Sequence, residues 1–448
     1  MQNYILVLRR RPGYLRLWIA QAVSLLGDWF TTIALSVLVA RYSGGSGLAV
    51  SLLLLARFTP PLLVGPMAGV FVDRLNRKAL LILSDAVRVV VVLGFLFANG
   101  PDRLWLIYVL SIIQFSFSAL FEPCRSALIP SLVEPDELVI ANTLGSVTWS
   151  VMLALGAVVG GAVTALVGAP TALLIDASTF AISALLIASI HVPARRVAAT
   201  EYQALGGLPG LIEGLRYLRA RPAAAATLLV KLGGNIGNAD LLMVIYATQL
   251  FVVGQNGTGS LGILYSTFGI GAILGPVLLN RFNDESVPRM RVLIIVGYAC
   301  LSLGWLLFGI APLLGLASLA ILVKAMGSSI YWTYSSVILQ KTIPDEFLGR
   351  VFALDQAGFQ LATVFSVIVT GLVIDRVGHG AGIHIDTAVR MLSTGQLTYQ
   401  AQNPDVRAVA IGSGIASLVP LILWSLLVPW LNRSERVAQP GVISSAGE

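Results

Sequence analysis

Of 448 residues, 56% are hydrophobic and 11% charged, less than half the charge of an ordinary soluble domain at about 25%, and the mean hydropathy of +0.85 excludes a water-soluble globule. The formal charge of +7 does not imply nucleic acid, because the arginines fall in short connectors between apolar runs, the positive-inside pattern of a membrane protein. Cys124 and Cys300 lie in separate apolar runs in opposite halves, which argues against a disulfide framework and leaves packing as their role.

Arg9, Arg10, Arg11 and Arg16 precede an apolar run from Leu17 to Ala40 that is too long for a signal core and lacks an Ala-x-Ala exit, so it reads as a retained first helix with its N-terminus inside. A spanning helix needs about 20 mainly apolar residues. In the first half such segments fall at Leu15–Ala40, Leu48–Val72, Ala79–Ala98, Leu104–Leu128, Leu138–Val167 and Thr171–Val192. In the second half they fall at Ala223–Val253, Ser260–Asn280, Arg291–Ile310, Leu313–Leu339, Val351–Ile374 and Ala408–Trp430.

The expected fold is therefore an all-α membrane protein with twelve transmembrane helices in two six-helix pseudo-symmetric bundles. Residues 1–192 form the N-terminal bundle, 193–222 a cytoplasmic linker, 223–432 the C-terminal bundle and 433–448 a cytoplasmic tail. The basic connectors then fall on one side. Arg9 to Arg11, Arg74, Arg77, Lys78, Arg195, Arg196, Arg216, Arg219, Arg221, Arg281, Arg289, Arg291, Lys341, Arg350, Arg433 and Arg436 face inside, which puts both termini in the cytoplasm.

In the linker, Glu213, Arg216, Arg219 and Arg221 interleave with Leu211, Ile212, Leu215, Tyr217 and Leu218. That spacing suits an amphipathic helix along the inner membrane face, or a basic tether between bundles. The longest outer loop, Gly378 to Arg407, holds His379, His384 and Asp386; solvated loop polarity outweighs a metal site there, and no metal or cofactor is expected.

An internal repeat supports the two halves. Gly65-Pro66 followed by Asp73 and Arg74 is echoed by Gly275-Pro276 followed by Asn280, Arg281 and Asp284, and Val133-Glu134-Pro135-Asp136-Glu137-Leu138 by Thr342-Ile343-Pro344-Asp345-Glu346-Phe347. Both echoes share an offset of roughly 210 residues, the signature of a parallel repeat with substrate bound near the midplane.

The connector Gly69-Val70-Phe71-Val72-Asp73-Arg74-Leu75-Asn76-Arg77-Lys78 resembles the signature loop between helices two and three of the major facilitator superfamily, where a glycine usually stands in place of Asn76. Leu15-Arg16-Leu17-Trp18-Ile19-Ala20-Gln21, Ser24 to Asp28, Phe121-Glu122-Pro123, Ser126 to Pro130 and Pro344 to Phe352 resemble the bacterial branch containing enterobactin exporters and macrolide efflux pumps. The resemblance covers nearly the whole chain. It implies a proton-linked exporter of organic molecules in a bacterial inner membrane. It also implies that Gly69, Asp73, Arg74, Arg77 and Lys78 latch the cytoplasmic side while the protein faces outward.

Charges inside apolar helices are costly, about 2.5 to 3.5 kcal/mol each at the bilayer centre, and mark function. Asp28 and Arg57 lie at similar depth in helices one and two; the reading is either a proton-coupling carboxylate with a changing partner or a fixed pair. Asp240 and Glu122 are the next coupling candidates. Asp85 with Arg88, and Glu122 with Arg125, stand three residues apart and share a face, which suits permanent pairs beside the cytoplasmic gate. Lys231 and Asp355 lie nearer the inner ends, and Lys324 sits mid-membrane in helix ten. Gly145, Gly156, Gly160 and Gly161 on helix five resemble a glycine-rich antiporter motif without its usual proline, though plain close packing of small residues is the simpler reading. Trp29, Trp149, Lys324, Tyr331, Tyr334 and Phe359 are the candidates for lining an aromatic substrate cavity.

No Gly-Lys-Ser or Gly-Lys-Thr loop surrounds Lys78, Lys231, Lys324 or Lys341, so ATP is not the energy source. An electrochemical gradient is sufficient. The expected partners are a small organic substrate, protons and membrane lipid, with no nucleic acid, for a monomer. Two alternatives stand beside the exporter. One is translocation of lysophospholipid on the same fold. The other is a membrane-embedded enzyme, disfavoured because His191, His379 and His384 lie outside the bundle and group with no nucleophile.

Overall fold

The computed structural model describes residues 2–134, 137–192, 208–377 and 406–438; the outer loop with His379, His384 and Asp386 lies outside them. A short amphipathic helix, α1 (Gln2–Arg10), ends where Pro12 takes the first position of α2 (Pro12–Tyr42), a place where proline's missing N–H costs nothing. The turn to α3 (Gly47–Arg74) uses Gly44 and Gly45 at positive φ, 63° and 83°, backbone that side-chain-bearing residues rarely adopt. Asn76, which stands in the position of the usual glycine, caps α4 (Arg77–Phe95): its side chain accepts from Ala79 N at 3.1 Å.

Next come α5 (Leu104–Leu128) and α6 (Leu138–Ala188). The latter contains two of the expected spans, divided at Gly168 with φ 81° ahead of Pro170. The linker forms α7 (Leu208–Arg219). It packs on the base of α13 (Asp345–Val377), where Arg350 meets Glu213 at 3.0 Å and Tyr217 stacks on Phe347 at 4.4 Å.

The second half runs through α8 (Pro222–Gly233), α9 (Leu241–Ile245) with a wide turn over Tyr246–Leu250, α10 (Thr258–Asn280), α11 (Val287–Ile310), α12 (Leu314–Thr342), α13, α14 (Val406–Ala416) and α15 (Leu418–Ala438). One expectation fails here: Ala223–Val253 is not a continuous helix but is broken at residues 234–240 between α8 and α9. An unwound segment at membrane depth must find partners inside the protein. Thr363 donates to Asn235 Oδ1 at 3.1 Å, Ser366 to Asn238 O at 2.6 Å and Ser417 to Ile236 O at 3.2 Å. The last expected span is likewise interrupted, at Ser417.

Among the described residues, nine helical stretches are long and apolar enough to cross a membrane. With α4, the broken α8 and α9, and the division of α6 at Gly168, the arrangement is consistent with the expected twelve.

α2 packs along α6 in the first half and α11 along α12 in the second. We call the end carrying the α3–α4 connector the loop end and the opposite one the far end. Among the described residues the halves are tied at the far end. Ser51 donates to Val367 O at 2.8 Å and Gln249 to Gly45 O at 3.1 Å, while α6 crosses α10 so closely that a Cβ on Gly161 would lie 2.5 Å from Gly262 Cα.

A charged cavity in the first bundle

Halfway along α2, Asp28 stands on the wall between two cavities. The larger, about 430 Å³, is lined by Gln21, Ser24, Asp28, Arg88, Glu122 and Trp149 among others and runs toward Glu122 and Arg125 at the loop end of α5. The smaller, about 100 Å³, lies on the other side of Asp28 against Trp29, Thr32, Arg57 and Met152. The larger one falls in the size range of drug-sized ligand sites, about 300 to 1,000 Å³.

Two arginines face Asp28, and the nearer is not the expected one. Arg88 Nη1 lies 3.9 Å from Asp28 Oδ2. Arg57 instead donates to Thr32 Oγ1 at 2.8 Å, and that hydroxyl donates to the Asp28 carbonyl at 2.6 Å. Arg57 thus lines the small cavity with its guanidinium 5.4 Å from the Phe115 ring. The depth argument placed both residues correctly; helix rotation, which depth does not specify, turned Arg88 of α4 toward Asp28.

Arg88 is 2% exposed and forms the expected pair with Asp85, itself fully buried. It also donates to Ser24 at 3.0 Å and lies 4.0 Å from the Phe180 ring centroid. Ser183 donates to the other Asp85 oxygen at 2.6 Å. This is a buried charge with the partners such a charge requires. Asp28 is different, with 24% of its side chain exposed to the cavity. Glu122 pairs with Arg125 as expected, Nε to Oε2 at 2.9 Å, and Glu122 stays open to solvent while Arg125 is buried against Gly145.

The remaining candidates divide. Trp29 and Trp149 line the cavities, and Trp29 reaches the other half by an edge contact with Tyr265 at 5.5 Å. Gly156 and Gly160 are where Trp29 packs against α6, with a Cβ at Gly156 falling 2.2 Å from Trp29 Cδ1. Asp240, at the break between α8 and α9, is 39% exposed and bonded to buried Lys324 at 2.5 Å. Lys324 also sits over Phe268 at 4.6 Å and Trp305 at 5.3 Å. Lys231 pairs with Asp355 in the interior of the second half.

Tyr331 and Tyr334 are each 3% exposed and belong to the apolar core, Tyr331 stacked on Tyr298. Phe359 packs edge-on against Trp332 at 4.7 Å. The structure does not bring these three to the cavities around Asp28.

At the loop end, Lys78 donates to Ala188 O at 2.7 Å and to Ile190 O at 2.8 Å, and Arg77 to Ala127 O at 2.9 Å. Both tie α4 to its own bundle. The side chains of Asp73 and Arg74, and the surroundings of Gly69, lie outside the described residues. No grouping of His, Cys, Asp and Glu able to hold a metal occurs among the described residues.

A fully buried acid escaped the sequence reading. Asp176 of α6 is fully buried and accepts hydrogen bonds from Thr31, across the helix interface, and from Thr179 at 3.2 Å. It fits because position 27 is glycine: a Cβ there would lie 2.3 Å from Asp176 Oδ1 and 2.0 Å from Thr179 Oγ1. The signal that exposed Asp28, an acid inside an apolar run, was equally present in Leu173-Leu174-Ile175-Asp176-Ala177.

Comparison with known proteins agrees with this architecture. The family model for the Major Facilitator Superfamily matches residues 17–366 and 243–445. The chain belongs to the major facilitator superfamily. It is 26% identical over 385 residues to the MFS-type transporter YfiS of Bacillus subtilis (strain 168), covering 83% of this chain and 88% of that one. It is 25% identical over 382 residues to macrolide efflux protein A of Streptococcus pyogenes, covering 81% and 89%. The fold matches the crystal structure of the nucleoside transporter NupG with a TM-score of 0.69 at 13% identity, over 93% of this chain and 98% of that one. This superfamily member is a multi-pass membrane transporter and not an enzyme.

Proposed function

We propose that the chain is a proton-coupled exporter of small amphipathic organic molecules, drug-like or siderophore-like in class, working by alternating access as a monomer in a bacterial inner membrane with both termini cytoplasmic. The observation that carries this reading is Asp28. It is an acid halfway along α2 that is open to a cavity of about 430 Å³, while its near neighbour Arg88 stays engaged with Asp85 and lies 3.9 Å away, beyond hydrogen-bond reach.

When Asp28 is charged it attracts Arg88 and Arg57 and holds α2 toward α4 and α3. When it takes a proton that attraction is lost, and the helices are free to shift. A proton moving down about 100 mV supplies about 2.3 kcal/mol, roughly fifty-fold in substrate concentration. With the loop end cytoplasmic, the far-end ties suit a state that loads from the cytoplasm, one that an exporter passes through. The name of the macrolide efflux relative supports the substrate class.

A second reading, translocation of lysophospholipid, draws on an apolar groove of about 840 Å³ between the α8–α9 break, α13 and α14, where Phe365 and Leu361 are 70% and 58% exposed. An acyl chain fits such a surface.

The test is transport from proteoliposomes of fluorescent cations, a macrolide, a catechol siderophore and a labelled lysophospholipid, each with an imposed pH gradient and with a proton ionophore. The exporter reading expects ionophore-sensitive movement of an organic solute that Asp28→Asn abolishes while downhill exchange survives. Gradient-driven transport by Asp28→Asn at the wild-type rate would remove Asp28 from that role. Movement of the lysophospholipid alone would replace the exporter with the lipid reading.

A further inference from the structure

α3 and α13 end on the same six-residue pattern, Gly69-Val70-Phe71-Val72-Asp73-Arg74 and Gly371-Leu372-Val373-Ile374-Asp375-Arg376: glycine, three apolar residues, aspartate, arginine. The helices belong to different halves and lie antiparallel, the first turn of α3 against the last turns of α13. The two copies therefore stand at opposite ends of one helix pair that joins the bundles.

At the far end the second copy is engaged. Gly47 N donates to Asp375 Oδ1 at 2.6 Å, Leu48 N to Oδ2 at 3.2 Å, and Ser46 Oγ to Oδ2 at 2.9 Å, while Ser46 Oγ accepts from Ala49 N at 3.2 Å. Backbone donors in the first turn of a helix have no partner within the helix, and a carboxylate is favoured there by the helix dipole. The glycine of the pattern has its own use: a Cβ at Gly371 would lie 2.1 Å from Ser51 Oγ and 2.9 Å from Gly47 O, so only glycine lets the helices meet closely enough for the aspartate to reach.

We propose that Asp375 is the residue that holds the far end closed, by capping a helix of the opposite half. Opening the far end must part Gly47 and Leu48 from Asp375, breaking three hydrogen bonds to one charged group together. Neutralising Asp375 removes that cap and shifts the population toward far-end-open protein.

This inference rests on alternating access, and the experiment separates the two. In a cysteine-free background, Cys124→Ser and Cys300→Ser, spin labels at Ser43→Cys and Val252→Cys report the far end, and at Leu75→Cys and Arg281→Cys the loop end, by electron-electron distance measurement at several pH values. Asp375→Ala is expected to raise the ratio of far-end-open to far-end-closed protein about ten-fold. Ser46→Ala, which keeps the carboxylate and removes one donor, is expected to raise it by less, and serves where Asp375→Ala fails to fold.

If the wild type samples both far-end states and neither Asp375→Ala nor Ser46→Ala changes their ratio, the latch is refuted while alternating access stands. If the far-end distances are single-valued at every pH in wild type and variants alike, alternating access itself fails, and the latch with it.

Discussion

Replacing Arg88 with methionine tests whether the charges inside the first bundle stabilise it as a set. Methionine fills much of the arginine stem's volume among Phe121 and Phe180, so the change is mainly electrostatic. It leaves Asp85 fully buried with only the Ser183 hydroxyl as donor and strips Asp28 of its nearer cation. Removing one member of a buried pair costs about 3 to 5 kcal/mol, because the remaining charge is uncompensated.

The double variant Asp85→Asn with Arg88→Met removes both charges. The amide that replaces the Asp85 carboxylate still accepts from Ser183, and the loss reduces to about 1 to 2 kcal/mol for the hydrogen bonds from Arg88 to Asp85 and Ser24. The second substitution should thus restore about 2 to 3 kcal/mol where additive sites would lose more, so the coupling exceeds that figure by whatever Asp85→Asn costs alone and lies well outside the additivity error of about 0.5 kcal/mol. The assay is unfolding in mixed micelles followed by tryptophan fluorescence, run as a double-mutant cycle. A double variant as unstable as Arg88→Met alone would refute the claim that the stranded Asp85 charge is the source of the damage.

Two further outcomes follow from the loop end. Asn76→Ala should destabilise the start of α4 by about 1 kcal/mol, whereas Asn76→Gly, which restores the usual family residue, should cost only a few tenths; amide exchange at Ala79 and Leu80 measures the difference, and equal effects would show the cap to be unimportant. Glu137 is held below the usual carboxylate range by the Glu134 backbone N–H, 3.1 Å away, and next by Arg11, 2.7 Å away. A depressed group contributes its stabilisation above the ordinary carboxylate range and loses it as pH falls through the lowered value. A spin label at Leu6→Cys should accordingly be immobile at neutral pH and mobile well below about pH 4, while Glu137→Gln should loosen it at both; a label indifferent to the variant would detach Glu137 from α1.

Most of the fold was legible because it depends on burial in lipid, which composition reports directly. Runs of about 20 apolar residues between basic turns located the helices, and the repeat at roughly 210 residues located the halves. What composition cannot report is continuity. The break between α8 and α9 lies in Gly233-Gly234-Asn235-Ile236-Gly237-Asn238, a run whose glycines and asparagines favour irregular backbone. Whether such a run unwinds depends on Thr363, Ser366 and Ser417 being present on neighbouring helices to bond it. Those partners are distant in sequence and carry no mark of their own.

The site was legible to a similar depth. An ionisable residue inside an apolar run announces itself by its cost, and the pairs three residues apart on one helix, Asp85 with Arg88 and Glu122 with Arg125, could be read from spacing alone. Pairings between helices could not, because helix rotation decides them: Arg57 and Arg88 are both deep enough to meet Asp28, and only the packing of α4 against α2 selects Arg88. Asp375 shows the other limit. At the end of a helix a charge costs little, so cost does not flag it, and its significance lies in what it touches, the unpaired amides at the start of a helix some 330 residues earlier in the chain. Yet a trace of that contact is written in the sequence, in the repeated glycine, three apolar residues, aspartate and arginine at the ends of α3 and α13. The offset of that repeat differs from the one relating the two halves, so a search for the parallel repeat passes over it.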